Sequence, residues 1–178
     1  RSGMDPASID TTELDDSIAG YSITRQSTGR AVIDQLRSAY FFDGVESGLS
    51  YAWRKRGKAP VATIDAGELG AHVFQSGSSD PPPAREAEMI PDVEAPAELT
   101  LSYVDAAANY DVGVSTARRQ ATQAGAPARI ELPIVLSDAE AGAIVWANLL
   151  HAHAARNSLA IKLTHAYEHL EPSDAILV

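Results

Sequence analysis

The tetrapeptide Ser137-Asp138-Ala139-Glu140 fixes the start of a helix more firmly than any other stretch of this chain fixes an element. It is an S-x-x-E capping box. The Ser137 hydroxyl accepts from the backbone N–H of Glu140, and the Glu140 carboxylate accepts from the N–H of Ser137. Asp138 and Glu140 also place negative charge at the positive end of the helix dipole. Downstream, His151, His153 and Arg156 gather where donors and positive charge are favoured, and Asn157 is expected as a left-handed stop. The spacing predicts a helix over 138–156, preceded by a strand at 129–135 and followed by strands at 159–164 and from Ala175. Ile144, Val145, Trp146, Leu149 and Leu150 span an arc too wide for one core face, which predicts a second contact with another element or another chain.

Upstream the pattern is rich in strands. Residues 1–17 read as a tag remnant, RSGMDP, and a flexible acidic lead-in. Residues 20–26 alternate enough for a short strand. Ser27 or Thr28 then caps a helix through Ala39, with Val32, Ile33, Leu36, Ala39 and Tyr40 on one face. Two strands follow at 41–45 and 49–54 around Glu46-Ser47-Gly48, placing Leu49, Tyr51 and Trp53 on one side. The segment APVATID adds a further strand, completing a small β-α-β-β unit over 18–75. Pro81-Pro82-Pro83 after a Gly/Ser/Asp run excludes a helix interior or central strand, so 76–97 reads as a linker or exposed loop. Residues 98–178 make the second unit, with strands at 98–105 and 114–122 ahead of the long helix. The expected fold class is α+β and β-rich, the second unit being a mixed, barrel-like sheet with one long helix. The last residues, DAILV, are strand-like without a polar tail, as in a piece cut from a longer protein.

The 178 residues carry a net charge of −10. That balance argues against general nucleic-acid binding, which needs a basic footprint, and against docking on an anionic membrane. No apolar run approaches the ~18 residues of a membrane span. The chain has no cysteine, which excludes disulfides and thiolate metal sites. His151 and His153 point about 200° apart on a helix and cannot share a metal. His165 and His169 have a helical spacing in a stretch that is not helical, so the five histidines, His72 included, read as surface histidines. Asp105, Asn109 and Asp111 partly echo a calcium loop without its sixth-position glycine or closing glutamate; turn-forming residues are the plainer reading. No G-x-S-x-G, phosphate loop or dinucleotide fingerprint is present. No catalytic, metal or cofactor-binding residue is assigned, and no cofactor is expected. The basic run Arg54-Lys55-Arg56-Gly57-Lys58 ends a hairpin and suits an acidic neighbour. Arg54, Lys55 and Arg56, with Ile144, Trp146 and Leu150, form the candidate interaction surface.

Three stretches together resemble a known family. GYSITRQSTGRAVIDQLRSAYFFDGVESGLSYAWRKRGKAPVATID contains Phe42-Asp43 and Val45-Glu46-Ser47-Gly48. EMIPDVEAPAELTLSYVDAAANYDVGVSTARRQ contains Tyr103, Asp105, Tyr110-Asp111 and Arg118-Arg119. LPIVLSDAEA and LEPSD close the pattern. Over 18–178 the chain resembles the tail-protein family of tailed phages and gene transfer agents, the tail-tip or baseplate hub protein. Departures are the proline-rich insertion at 81–83, the transposed Tyr110-Asp111, and Ser173 where glycine is usual. The resemblance implies a virion segment without catalysis that forms the hub at the end of the tail tube, serving tail assembly, host attachment and DNA delivery. It implies a homotrimer with tail-tube, distal-tail and host-recognition proteins as partners, and a hydrolase-like domain, where present, elsewhere in the longer protein. The alternative reading is a glycan-binding or glycan-cleaving module, which predicts a groove lined by Trp53, Trp146 or tyrosines with paired acids.

Overall fold

The computed structural model describes residues 5–70, 83–120 and 126–178. Along the chain run β1 (Ile9–Asp10), α1 (Gly29–Tyr40), the hairpin strands β2 (Phe42–Ser47) and β3 (Ser50–Lys55), β4 (Ala62–Thr63) and β5 (Arg85–Met89). Then follow β6 (Glu98–Asp105), β7 (Asp111–Arg118), β8 (Ala128–Leu136), α2 (Asp138–Ala154), β9 (Asn157–Ile161) and β10 (Ile176–Leu177). The fold is α+β and β-rich. Its described strands form small sheets of two or three members, too few to close a barrel, so the barrel-like expectation is corrected to open sheets.

Two compact units are interleaved along the chain. One collects Arg1–Asp15, Phe42–Glu88 and Ser158–Val178; the other collects Asp16–Phe41 and Met89–Asn157. This differs from a sequential division into 18–75 and 98–178, because α1 packs with α2. Asn148 of α2 donates to the Ser38 carbonyl at 3.0 Å, and Ala39, Leu36 and Tyr40 join the apolar cluster under α2. The expected linker 76–97 also holds structure: β5, and a 3-10 turn at Asp92–Glu94. Residues 76–82 lie outside the described residues.

In the unit carrying α2, β6 is central, antiparallel to β7 and parallel to β8. One face of this sheet, Leu99, Leu101 and Tyr103 with Leu132, Ile134 and Leu136, meets Ala141, Ile144, Val145 and Leu149 of α2. The register between β6 and β8 shifts beside Pro133, which cannot donate to a ladder. The expected strand at 20–26 is only a bridge of Tyr21 to Ile134 on the outer edge of β8. It is held by Ser22 N–H to the Pro133 carbonyl and Val135 N–H to the Gly20 carbonyl, both 2.8 Å. β7 starts at Asp111, three residues before the expected Val114, and ends at Arg118; residues 121 and 122 of that expectation lie outside the described residues.

Both helix starts are as the sequence dictates. Thr28 caps α1, accepting from Ala31 N–H at 3.3 Å. Ser137 and Glu140 form the reciprocal box, at 3.3 Å and 2.8 Å. The stops differ. α1 ends on Phe41 in the left-handed region, φ 52°. α2 ends at Ala154, two residues before the expected 156, on a right-handed Ala155. Asn157 already belongs to β9 and is not a left-handed stop.

In the other unit, β2 and β3 pair antiparallel with Val45 opposite Ala52, both buried. The turn is Gly48-Leu49, so Leu49 is fully exposed at its tip and does not join Tyr51 and Trp53 on their face. That face carries Phe42, Trp53 and Tyr51 in edge-to-face contact at centroid distances of 5.4 and 5.1 Å. Tyr51 lies over Gly44, where a Cβ would fall 2.1 Å from its hydroxyl. β1 adds a parallel strand to β3, β10 adds one to β4, and β9 pairs β5. The Ser47 hydroxyl donates to the Glu171 carboxylate of LEPSD, tying the hairpin turn to the closing segment.

Candidate assembly surface

The surplus apolar arc of α2 resolves into two faces. Ile144 is a core residue, 9 % exposed beside Val145 and Leu149, and is corrected from the candidate surface to the interior. Trp146 and Leu150, one helical turn apart, are 46 % and 54 % exposed and share the outward face. An indole and an isobutyl group adjacent on a helix face otherwise made of small residues, Ala143, Ala147 and Ala154, make a patch of the kind that marks contacts. The helix therefore uses one face for its sheet and offers another.

The basic run has a partner within its own unit. Arg54 Nη1 reaches Glu13 at 3.0 Å and Asp10 at 3.4 Å. Lys55 Nζ meets Asp15 at 2.5 Å, and its backbone N–H donates to Glu13 at 3.0 Å. Arg56 grips Asp43 of β2 through two nitrogens, at 2.5 and 2.8 Å, and Lys58 pairs with Glu13. The lead-in is thus an ion-paired strand and not a flexible tail, and the acidic neighbour of the basic run is this chain's own residues 10–15. Sequence reasoning separated the two because they lie about forty residues apart. The clue was the opposite charge of the two short runs. Lys58 and the Lys55 N–H hold the Glu13 carboxyl below its ordinary value, and Lys55 does the same for Asp15.

Among the histidines, His151, His165 and His169 are exposed as expected, and His72 lies outside the described residues. His153 is not: it is 5 % exposed, with Nε2 3.0 Å from the Pro96 carbonyl. Its Nδ1 lies 3.9 Å from Asp92, which Arg156 also binds at 2.5 Å. This cluster anchors the 3-10 turn Asp92–Glu94 beneath the end of α2, a structural duty. In the turn after β6, the Asp105 carboxylate accepts from Ala107 N–H and that of Asp111 from Val112 N–H, each at 2.8 Å. Asn109 and Tyr110 take positive φ. The contacts of Asp105 and Asp111 are turn-forming ones within the loop.

An open groove of about 730 Å³ lies between residues 21–27, the start of α1 and the sheet, lined by Tyr21, Arg25, Gln35, Ser102, Arg129 and Glu131 among others. Arg129 donates to the buried Ser102 hydroxyl at 3.0 Å and pairs with Glu131 at 3.3 Å. Neither tryptophan borders the groove and Glu131 is the one carboxylate in its lining. The paired acids and tryptophan walls of a glycan-cleaving cleft do not come together there. No helix among the described residues is long and apolar enough to cross a membrane.

Comparison with known proteins follows the same line. The family model described as "Putative phage tail protein" matches residues 28–178. No curated protein matches. Among solved structures, the chain superposes with a TM-score of 0.82 and 27 % identity on a protein from the virion of a native gene transfer agent particle. The match covers 97 % of this chain and 38 % of that one, so the sequence spans well under half of its relative. Its place is in a virion, and the chain belongs to the phage tail protein family.

Proposed function

We propose that this chain is a segment of a baseplate hub at the tip of a phage-type tail, acting in tail assembly, host attachment and DNA delivery. Its role in that assembly is structural, with no chemistry of its own. The observation that carries this reading is the likeness to a gene-transfer-agent virion protein over nearly the entire chain, at an identity above what a shared fold alone produces. The physical support is the outward pair Trp146 and Leu150 on α2. In a ring of subunits such a pair is buried between neighbours, consistent with a homotrimer that touches tail-tube, distal-tail and host-recognition proteins.

The test is Trp146→Asp with Leu150→Asp in the full-length protein. Both side chains are about half exposed and outside the buried cluster, so folding stability should fall by about 1–2 kcal/mol, with the fold kept. Light scattering should then report monomers where the unaltered protein forms trimers, and particles should lack the tail tip. Normal trimers and complete tails from the double variant would refute the reading.

A further inference from the structure

We propose that β7 is a docking strand: an extended segment of another protein of the tail, carrying its own carboxylate, pairs along the open edge of this strand. The inference rests on the chain's place in a virion and not on the hub reading. Every contact it uses lies in the unit that carries α2.

The two edges of the β7-β6-β8 sheet differ. The chain closes the β8 edge itself, with the backbone bonds that join Gly20 and Ser22 to Val135 and Pro133. Nothing among the described residues pairs the far side of β7. Its outward groups follow from the phase of the ladder. Arg119 N–H donates to the Ala97 carbonyl at 3.0 Å, one step beyond the Glu98–Arg118 pair, and hydrogen-bonded pairs alternate along an antiparallel ladder. Ala117, Ser115 and Gly113 therefore bond to β6, while Val112, Val114, Thr116 and Arg118 turn their N–H and C=O outward. The Asp111 carboxylate already holds the Val112 N–H at 2.8 Å, which leaves Val114, Thr116 and Arg118 as the open donors. All four outward residues are exposed, Val112 at 69 % and Val114 at 61 %. Such edges are ordinarily blunted by proline, lysine or a bulge. β7 has none of these, and its register with β6 is unbroken from Asp111 to Arg118.

Charge selects the occupant. Arg118 and Arg119 are both exposed, and neither forms an ion pair among the described residues, although Glu98 stands opposite Arg118. A strand laid along β7 sets β-branched side chains beside Val114 and Thr116 and a carboxylate beside Arg118. A second copy's β7 does not meet that need. The antiparallel register that brings its Asp111 opposite Arg119 also pairs Val112 with Arg118, and so requires the Val112 N–H that Asp111 occupies. The register that avoids this group sets Val114 and Gly113 opposite Arg118 and Arg119, with no acid at all. The partner therefore supplies its own Asp or Glu and is a different protein.

The test is amide exchange in assembled tails, quenched, dissolved and read by NMR. In the isolated full-length protein, Gly113, Ser115 and Ala117 should be protected, and Val114, Thr116 and Arg118 should not. In tails the second set should slow at least tenfold, the alternate-residue pattern of an added strand. Unchanged exchange at those three amides overturns the proposal. A photo-crosslinking p-benzoylphenylalanine in place of Thr116 then identifies the occupant. Irradiation of purified tails should attach it to an acid-containing segment of another tail protein, sequenced by mass spectrometry. A cross-link to a second copy of this chain, or none, overturns the proposal. Arg118→Glu with Arg119→Glu should cut the yield several-fold while the amides of 113, 115 and 117 stay protected, and an undiminished yield overturns the acidic partner. Failure of the Trp146 and Leu150 test leaves each of these readouts as it is.

Discussion

Ser173 stands with φ 77°, in the left-handed region that costs a side-chain-bearing residue about 1 kcal/mol or more. The LEPSD turn needs at this position a conformation that only glycine adopts freely. Ser173→Gly is therefore expected to stabilise the protein by roughly 0.5–1 kcal/mol, read as a higher midpoint in urea unfolding. Gly113 is the opposite case. A Cβ at this position would lie 2.6 Å from the Tyr103 ring, and that ring is buried with its hydroxyl bonded to Asp138 at the start of α2. The carboxylate beside it pushes the Tyr103 phenol up to about 12. Gly113→Ala should displace the ring and break that bond, costing about 1–3 kcal/mol in the same unfolding measurement. Neither the Tyr103–Gly113 nor the Tyr51–Gly44 stacking is legible from alternation alone, since each pairs residues on facing strands.

Among the elements, α2 was the most legible because its signals are local: a box of four residues fixes its start, and apolar spacing its buried face. Its stop was misread because Asn157 is claimed by pairing with β5, a long-range contact that overrides a turn preference. The lead-in strand was misread for a related reason, having no apolar pattern and only charge to dock it. Its docking depends on pH. Glu13 has a depressed carboxyl, so its contribution is complete above the ordinary value of 4.5 and is lost as pH falls through the lower folded value. Protection factors at residues 9–15, which remove the intrinsic pH dependence of amide exchange, should hold steady above pH 4.5 and fall below it, while those of α2 are kept. Protection factors that stay constant through this range would show that Glu13 does not hold the segment.

At the scale of the molecule, the sequence by itself determined the class of the fold, both helix starts, the hairpin, the strand of β6 and the family. Each of these rests on periodicity, caps or motifs whose physics acts over a few residues. Tertiary structure alone decided the rest. It placed α1 under α2 through Asn148 and Ser38, sank Ile144 and His153 into the interior, and left Trp146 and Leu150 outside. It also brought the acids of 10–15 onto the bases of 54–58. The division has one cause. Helix propensity and amphipathic spacing say that a residue wants burial, but which neighbour buries it depends on where segments a hundred positions apart are folded, and no local preference encodes that.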